Sequence, residues 1–560
     1  MREWLKRHGA AAGFYLAAAL MLVWNLGVNH LWASEDRWAE IAREMWITGD
    51  WFHPAINGVV YFDKPLLSYW PIVLLAVITG VLNEFIVRLP SALAALLALW
   101  ATRDLAQQIE GRRAADYAGW LLLSAYGFLF WGRTAAADML NLAVVILAVD
   151  WFFRRRDRAG FWSYLLFYLI CFAGALAKGL PAVILPPVVV FAWVIGDGSW
   201  KKHLVWSNFL AVPPALVIAL LPFCCAAVLP MPEWYHQPEH GLSGLGLVWR
   251  ENVLRVFEPF DHDQEPWYIY FEHVPRIMAP WTLALLGALI AAVAGWKRLT
   301  RERRWLWVGA LLIFLLFSAS GSRRWYYILP IMPFLAIALA GWMDKEERWS
   351  ELTRKIYWWA FLAIGILALA TGVLGVLWLR VCRQLDMLLL WIGPWSILGM
   401  LVLTAAAVIA LHRNRNWTGV LLGGAIGIAV VFCILLPAVG KLRTEKPFAL
   451  QLKRELAGVP PERIVFFVKD APKVVFYMES PRGLAYGKDA EALQAYLSKM
   501  GGQEVYIIAE NRPKRLDQLQ TALPDLMVQN PTWSEAYIPY FEKTSARKLQ
   551  CWKYKVPVQK

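Results

Sequence analysis

Apolar runs of about 17–25 residues, long enough for a helix to cross the hydrocarbon core of a bilayer, recur from residue 10 to about residue 440 of this chain. They place spans at 10–31, 88–107, 114–131, 139–153, 159–177, 180–196, 205–229, 277–295, 305–317, 326–342, 357–379, 387–411 and 417–439. Arg112-Arg113, Arg154 to Arg158, Lys201-Lys202, Lys297 to Arg304, Lys345 to Lys355, and Arg413 with Arg415 occupy alternate connections. With the N-terminus inside, all six fall on the inner side, as the positive-inside rule requires. The basic start, Met1 to His8, precedes an apolar run longer than a signal-peptide core, so it reads as a retained first helix. About 13 spans then leave the C-terminus outside.

Residues 66–84 are apolar enough to span, yet counting them would send every later arginine cluster to the outer side. They are therefore expected to form an interfacial or re-entrant segment within a long first outer loop, 32–87. Two further outer loops follow, 230–276 and 318–325. Inner connections are short, which points to function on the outer face.

The pattern changes after residue 440. Residues 463–469, 474–479 and 504–510 read as strands, 489–500 and 515–523 as helices, and 548–556 alternates like an edge strand. Asp489 is a plausible N-cap. The expected architecture is a polytopic α-helical membrane domain, 1–440, followed by a soluble α/β domain, 441–560. No G-x-G-x-x-G, P-loop or triad signature appears in that domain, so it reads as a lid or docking element.

Composition agrees: 59% of residues are hydrophobic and 18% charged. Much of the tryptophan, 33 residues, lies at the ends of the apolar runs, where aromatic belts form. The net charge of +14 is spread between spans, which argues for membrane lipids as partners and against nucleic acid. The six cysteines show neither metal-ligand spacing nor a disulfide framework.

Five polar clusters carry candidate chemistry. The first, Ser34-Glu35-Asp36-Arg37-Trp38 through Met45, puts Asp36, Glu40 and Arg43 on one helical face and Arg37, Ile41 and Glu44 on another. Alone it reads as a solvated interfacial helix laced with ion pairs. The Gly-, Pro- and aromatic-rich stretch 49–70 that follows, with Tyr61 and Asp63-Lys64, suits a sugar or lipid headgroup. The second holds Asp138 at the outer end of a span, as a functional carboxylate, a helix N-cap, or both. In the third, AKGLP (177–181), Lys178 either snorkels or serves the site. The fourth, 318–333, carries Arg323, Arg324, Tyr326 and Tyr327 at the outer interface, where arginines call for an anionic partner such as a lipid phosphate. The fifth, in loop 230–276, includes His236, His240, Glu258, Asp261, His262 and Asp263; this mix could hold a divalent metal, although its spacing matches no strong motif. Carboxylates, cations and aromatics on one face suit group transfer from a lipid phosphate to an acceptor hydroxyl.

At these residues the chain resembles a known family. SEDRWAEIAREMWITGDWFHPAINGVVYFDKPLLSYW (34–70), RLPSALAALLALW (88–100), GRTAAADML (132–140) and AKGLP together are similar to the 4-amino-4-deoxy-L-arabinose transferase and protein O-mannosyltransferase superfamily, membrane glycosyltransferases of the GT-C fold. The resemblance implies a polyprenyl-phosphate sugar donor and transfer, with inversion, on the periplasmic face of a bacterial inner membrane. In the aminoarabinose branch it implies a lipid A phosphate as acceptor. By motif position, Lys64 would contact the donor phosphate with Tyr61 beside it. Asp138 would be the second catalytic carboxylate, and Arg323, Arg324, Tyr326 and Tyr327 would fall at donor-phosphate contacts. The family's usual Asp-Glu-x-Arg-Tyr reads Ser34-Glu35-Asp36-Arg37-Trp38 here, so Ser34 stands where the first catalytic Asp is expected. Glu35 or Asp36 would then supply the charge, Glu35 preferentially. A lipid-linked-sugar flippase and a protein O-mannosyltransferase-type enzyme are the alternatives. Against the first, no internal repeat is visible and the ionisable residues gather at one face.

Overall fold

The computed structural model describes residues 2–32, 34–62, 64–236, 246, 265–345, 349–357, 359, 417–437, 445–468, 471–536 and 548–558. Two expected spans, 357–379 and 387–411, lie almost wholly outside these residues, as do His240, Glu258, Asp261, His262 and Asp263.

The chain opens with α1 (Arg2–Val23), α2 (Glu35–Thr48) and a small hairpin, β1 (Ala55–Ile56) with β2 (Val59–Val60). Then come α3 (Trp70–Thr79), α4 (Glu84–Glu110), α5 (Arg112–Leu123), α6 (Tyr126–Gly132), α7 (Ala137–Arg155), α8 (Phe161–Lys178) and α9 (Leu180–Asp197). Among the described residues, α4, α8, α9 and 206–228 are long and apolar enough to cross a bilayer. The number rises to six if two broken pairs, α6 with α7 and 269–277 with 282–294, each count as one span. Both pairs bend by 115° at the break. The expected spans 114–131 and 277–295 are thus not continuous rods; α5 stops at Leu123 and α6 restarts at Tyr126.

The ambiguous segment 66–84 resolves as a 3-10 turn, Leu66–Ser68, and the ten-residue α3. Ten residues rise about 15 Å, half the hydrocarbon thickness. Gly80, at φ 68°, ends α3, and Asn83 caps α4 by accepting from the Ile86 N–H.

One apolar core fills the helical bundle, with Leu99, Leu121, Phe128, Ile146, Trp281 and Phe334 among its members. A second core is shared between the two ends of the chain. It joins Leu31, Ile41, Met45, Leu66 and Tyr69 to Phe448, Leu452, Phe466, Val475 and Phe476. The α2 helix is therefore buried rather than solvated: Glu35, Glu40, Arg43 and Glu44 are all enclosed.

The C-terminal part carries a five-stranded mixed sheet in the order β4-β3-β5-β7-β6. Its strands are β3 (Ile464–Phe467), β4 (Ala485–Gly487), β5 (Glu504–Glu510), β6 (Trp533–Ser534) and β7 (Leu549–Lys555). Central β3 is apolar throughout because both of its faces are covered. Two expectations are corrected. Residues 474–479 are not a strand: 472–478 form a helix, opened by Pro472 and buried from Val474 to Met478. A short apolar run buried on all sides has no periodicity that separates helix from strand. Nor is β7 an edge, since it pairs with β5 on one side and β6 on the other. Asp489 does cap its helix, accepting from the Ala492 N–H.

Hydrogen bonds tie this sheet to the first outer loop. Asn57 donates from Nδ2 to the Leu484 carbonyl at 2.9 Å and accepts from its N–H at 2.6 Å. Arg43 makes a bidentate pair with Glu40 and donates to the Ser480 carbonyl. Glu44 has no such cation to itself. Burial, with Glu40 adding to it, pushes its carboxyl up to about 8, although the Gly58 N–H opposes the rise. The folded state therefore holds a proton there that the unfolded chain releases above about pH 4.5. Stability is expected to be fullest below that value and to fall as pH rises towards about 8. Glu44→Gln should remove this slope and raise the unfolding temperature at about pH 8 by roughly 2–4 °C or more. Thermal unfolding of the detergent-purified protein at acid and alkaline pH checks it.

Candidate active site

Chain breaks create the site. The α6–α7 break starts α7 at Ala137, with Ala136 as the N-cap residue, so Asp138 lies in the first turn rather than capping the helix. There its carboxylate meets the positive end of the helix. The α8–α9 break at Gly179, φ 96°, ends α8 on Lys178 and lets Pro181 open α9. Only glycine adopts that φ readily, which gives AKGLP its middle residue. The two breaks bring Asp138 and Lys178 into a salt bridge, each side chain only 8% exposed. Lys178 is thus enclosed and does not snorkel.

The Lys178 ammonium also sits 4.5 Å from the Tyr327 ring centroid and 5.7 Å from that of Tyr326. Tyr326 lies within electrostatic reach of Asp138, Arg324 and Arg37. Arg37 in turn donates to the Tyr61 hydroxyl at 2.9 Å. Asp138, Lys178, Tyr326, Tyr327, Arg324, Arg37 and Tyr61 therefore form a connected group. Lys64, half-buried in the same loop, follows Tyr61 by three residues. Arg323 is held by the backbone: its Nε donates to the Glu265 carbonyl at 2.8 Å and its Nη1 to the Ser320 carbonyl at 2.6 Å.

Glu35 and Asp36 part company. Glu35 is fully buried and bound bidentately by Arg88, at 2.8 and 2.7 Å. It also accepts from the N–H groups of Ala135, at 2.9 Å, and Trp32, at 3.1 Å. Four donors occupy the four lone-pair directions of the carboxylate. Asp36, next in sequence, points elsewhere. It lines a cavity of about 940 Å³ between the first outer loop and the C-terminal sheet. Burial raises its carboxyl above the ordinary range, with Lys473 opposing the shift.

Two residues outside the sequence-derived set matter here. Arg88 uses all five of its N–H donors, on Glu35 and on the carbonyls of Leu26, Asn29 and His30. Its signal was visible: an arginine opening an apolar span is costly unless paired. Arg37 left a weaker trace, as one charge among many in its cluster. His236 bonds through its backbone to the hairpin, exchanging bonds with Gly58 and Val60, and its side chain is exposed. No group of three or more metal-ligating side chains occurs among the described residues.

A family model described as dolichyl-phosphate-mannose-protein mannosyltransferase matches residues 63–228. The fold follows ArnT from Cupriavidus metallidurans, whose crystal structure bound to undecaprenyl phosphate aligns with a TM-score of 0.73 at 21% identity, over 97% of this chain and 98% of that one. The oligosaccharyltransferase AglB from Archaeoglobus fulgidus shares it more loosely, with a TM-score of 0.51 at 13% identity over 90% of this chain and 70% of that one. The class is accordingly a membrane glycosyltransferase of the GT-C fold, which sets the transporter reading aside. Over 404 residues the chain is 30% identical to the undecaprenyl phosphate-α-4-amino-4-deoxy-L-arabinose arabinosyl transferase of Edwardsiella ictaluri, spanning 69% of this chain and 67% of that relative. The same enzyme of Aeromonas salmonicida is 30% identical over 412 residues, 69% of this chain and 70% of the relative. The chain belongs to this arabinosyl transferase family.

Proposed function

We propose that the protein transfers a sugar from an undecaprenyl-phosphate donor to a lipid A-like glycolipid at the periplasmic face of a bacterial inner membrane. The observation that carries this reading is the enclosed Asp138–Lys178 pair with two tyrosine rings over the ammonium. Transfer breaks the bond between the anomeric carbon and the phosphate oxygen, and the departing lipid phosphate gains negative charge. Lys178, Lys64, Arg37 and Arg324 supply cations for that charge, and Tyr61, Tyr326 and Tyr327 supply ring faces or hydroxyls. The acceptor oxygen attacks from the opposite side, which inverts the carbon.

Asp138 holds Lys178 in place and takes the proton where the acceptor is a hydroxyl. An acceptor phosphate is already ionised and needs no base. Glu35 positions the loop through Arg88 rather than meeting substrate. The topology in this reading has about 13 spans, the N-terminus inside, and the domain 441–560 outside.

The test is transfer of labelled sugar from a synthetic undecaprenyl-phosphate donor to lipid A by the purified protein. Wild type should transfer, and Lys178→Ala should raise the donor KM about tenfold or more while also lowering kcat. Absence of transfer and of undecaprenyl phosphate binding in wild type would sink the reading.

A further inference from the structure

The cavity of about 940 Å³ is not accounted for by donor chemistry. Its size is at the upper end of small-molecule sites. One wall is the β1–β2 hairpin; the other is the chain leading into β4. The seam between them is tight. A Cβ on Gly483 would lie 2.6 Å from the Asn57 carbonyl oxygen, and Asn57 makes its two bonds to the Leu484 backbone beside it. Trp234 lies against the hairpin, where Gly58, at φ 79°, leaves room for its ring; a Cβ there would come within 2.9 Å of it. The two walls are held together by these contacts and bonds.

Their chemistry is that of a sugar site. Trp234, Tyr61 and Tyr486 present aromatic surface to the cavity. Arg482 and Glu462, paired at 2.9 Å and both about half exposed, add charged donors and acceptors at its edge. Aromatic planes match the C–H faces of pyranose rings, and an Arg–Glu pair offers both halves of a hydrogen bond to hydroxyls. Arg37 and Tyr61 line this cavity and also belong to the Asp138 group, so the two spaces share a wall.

We infer that the cavity between the β1–β2 hairpin and strand β4 binds the saccharide headgroup of the acceptor, with Arg482 and Tyr486 of the C-terminal sheet setting acceptor selectivity. The inference rests on the glycosyltransferase reading above and deepens it. It gives the C-terminal sheet a part in choosing the substrate, beyond covering the site. A glycolipid headgroup and a free oligosaccharide share this chemistry, and acyl chains tell them apart.

The probes are lipid A and its fully deacylated disaccharide headgroup, offered to the full-length protein in nanodiscs. Direct titration of the headgroup, without donor, should give binding that Tyr486→Ala and Arg482→Ala each weaken about tenfold. Undecaprenyl phosphate binding should be unchanged in both variants, and both residues are exposed enough for the fold to tolerate the change. In transfer assays the acceptor KM should rise by the same factor with kcat kept. Competition by the headgroup against lipid A supports the assignment, whereas transfer to lipid A that the headgroup does not compete with overturns it. Headgroup binding that is absent, or equal in wild type and both variants, overturns it even if sugar is transferred. Weakened headgroup binding in a protein that transfers no sugar would remove the enzymatic reading and leave the cavity assignment standing.

Discussion

Asparagine in place of Asp138 is expected to lower sugar transfer by about 10²–10⁴-fold while undecaprenyl phosphate still binds. Two effects combine in the substitution. The carboxylate is enclosed with Lys178, so a neutral amide leaves a buried ammonium without its counter-charge. The ammonium is then free to shift from its position over Tyr327, and the departing phosphate loses an aligned cation. A hydroxyl acceptor loses its base as well; a phosphate acceptor does not. The size of the drop with each acceptor type therefore reports which role Asp138 plays. Single-turnover transfer, beside a binding isotherm for undecaprenyl phosphate, makes the measurement. Equal turnover in the variant would remove Asp138 from the mechanism.

Alanine in place of Arg88 is expected to cost about 3–5 kcal/mol, because Glu35 would be left as an uncompensated buried charge. That is a large share of the roughly 5–15 kcal/mol that separates folded from unfolded states. Three carbonyls after α1, of Leu26, Asn29 and His30, lose donors at the same time. The expected outcome is little folded protein in membranes, or a steep fall in melting temperature in detergent. Arg88→Lys keeps a charge but cannot supply five donors in a fork, so it should fall between wild type and alanine. Glu35→Gln should likewise lower folded yield more than turnover per folded molecule. Full stability in that variant with activity abolished would instead make Glu35 a catalytic group.

How far the sequence carried these assignments depended on the range of the interactions involved. Lys178 and Asp138 stood out separately, since an ionisable residue at the end of an apolar run is costly. That they pair was not legible: 40 residues separate them, and the two helix breaks that align them mark a change of direction without giving its angle. Glu35 and Asp36 are adjacent carboxylates, and the sequence preference for Glu35 rested on nothing that shows their surroundings. The choice between them turned on Arg88, 53 residues away, and on a cavity completed by residues beyond 460. Segment 66–84 stood apart from the other apolar runs because charge parity is a global property, and its helix, Trp70–Thr79, is ten residues long. Residues 474–479 were misread because a helix buried from every side loses the polar face that marks its period.

The core shared by the two ends of the chain imposes an order on assembly. The Tyr477 hydroxyl that accepts from the Leu31 N–H is synthesised 446 residues after it. At common translation rates that interval is about 20–90 s. During it, Ile41, Met45 and Leu66 lack the C-terminal residues that complete their core, and Arg43 lacks the Ser480 carbonyl. A chain that stops late would have most of its apolar helices but only half of this shared core. The segment around α2 thus completes its packing only when the chain beyond residue 445 has been made.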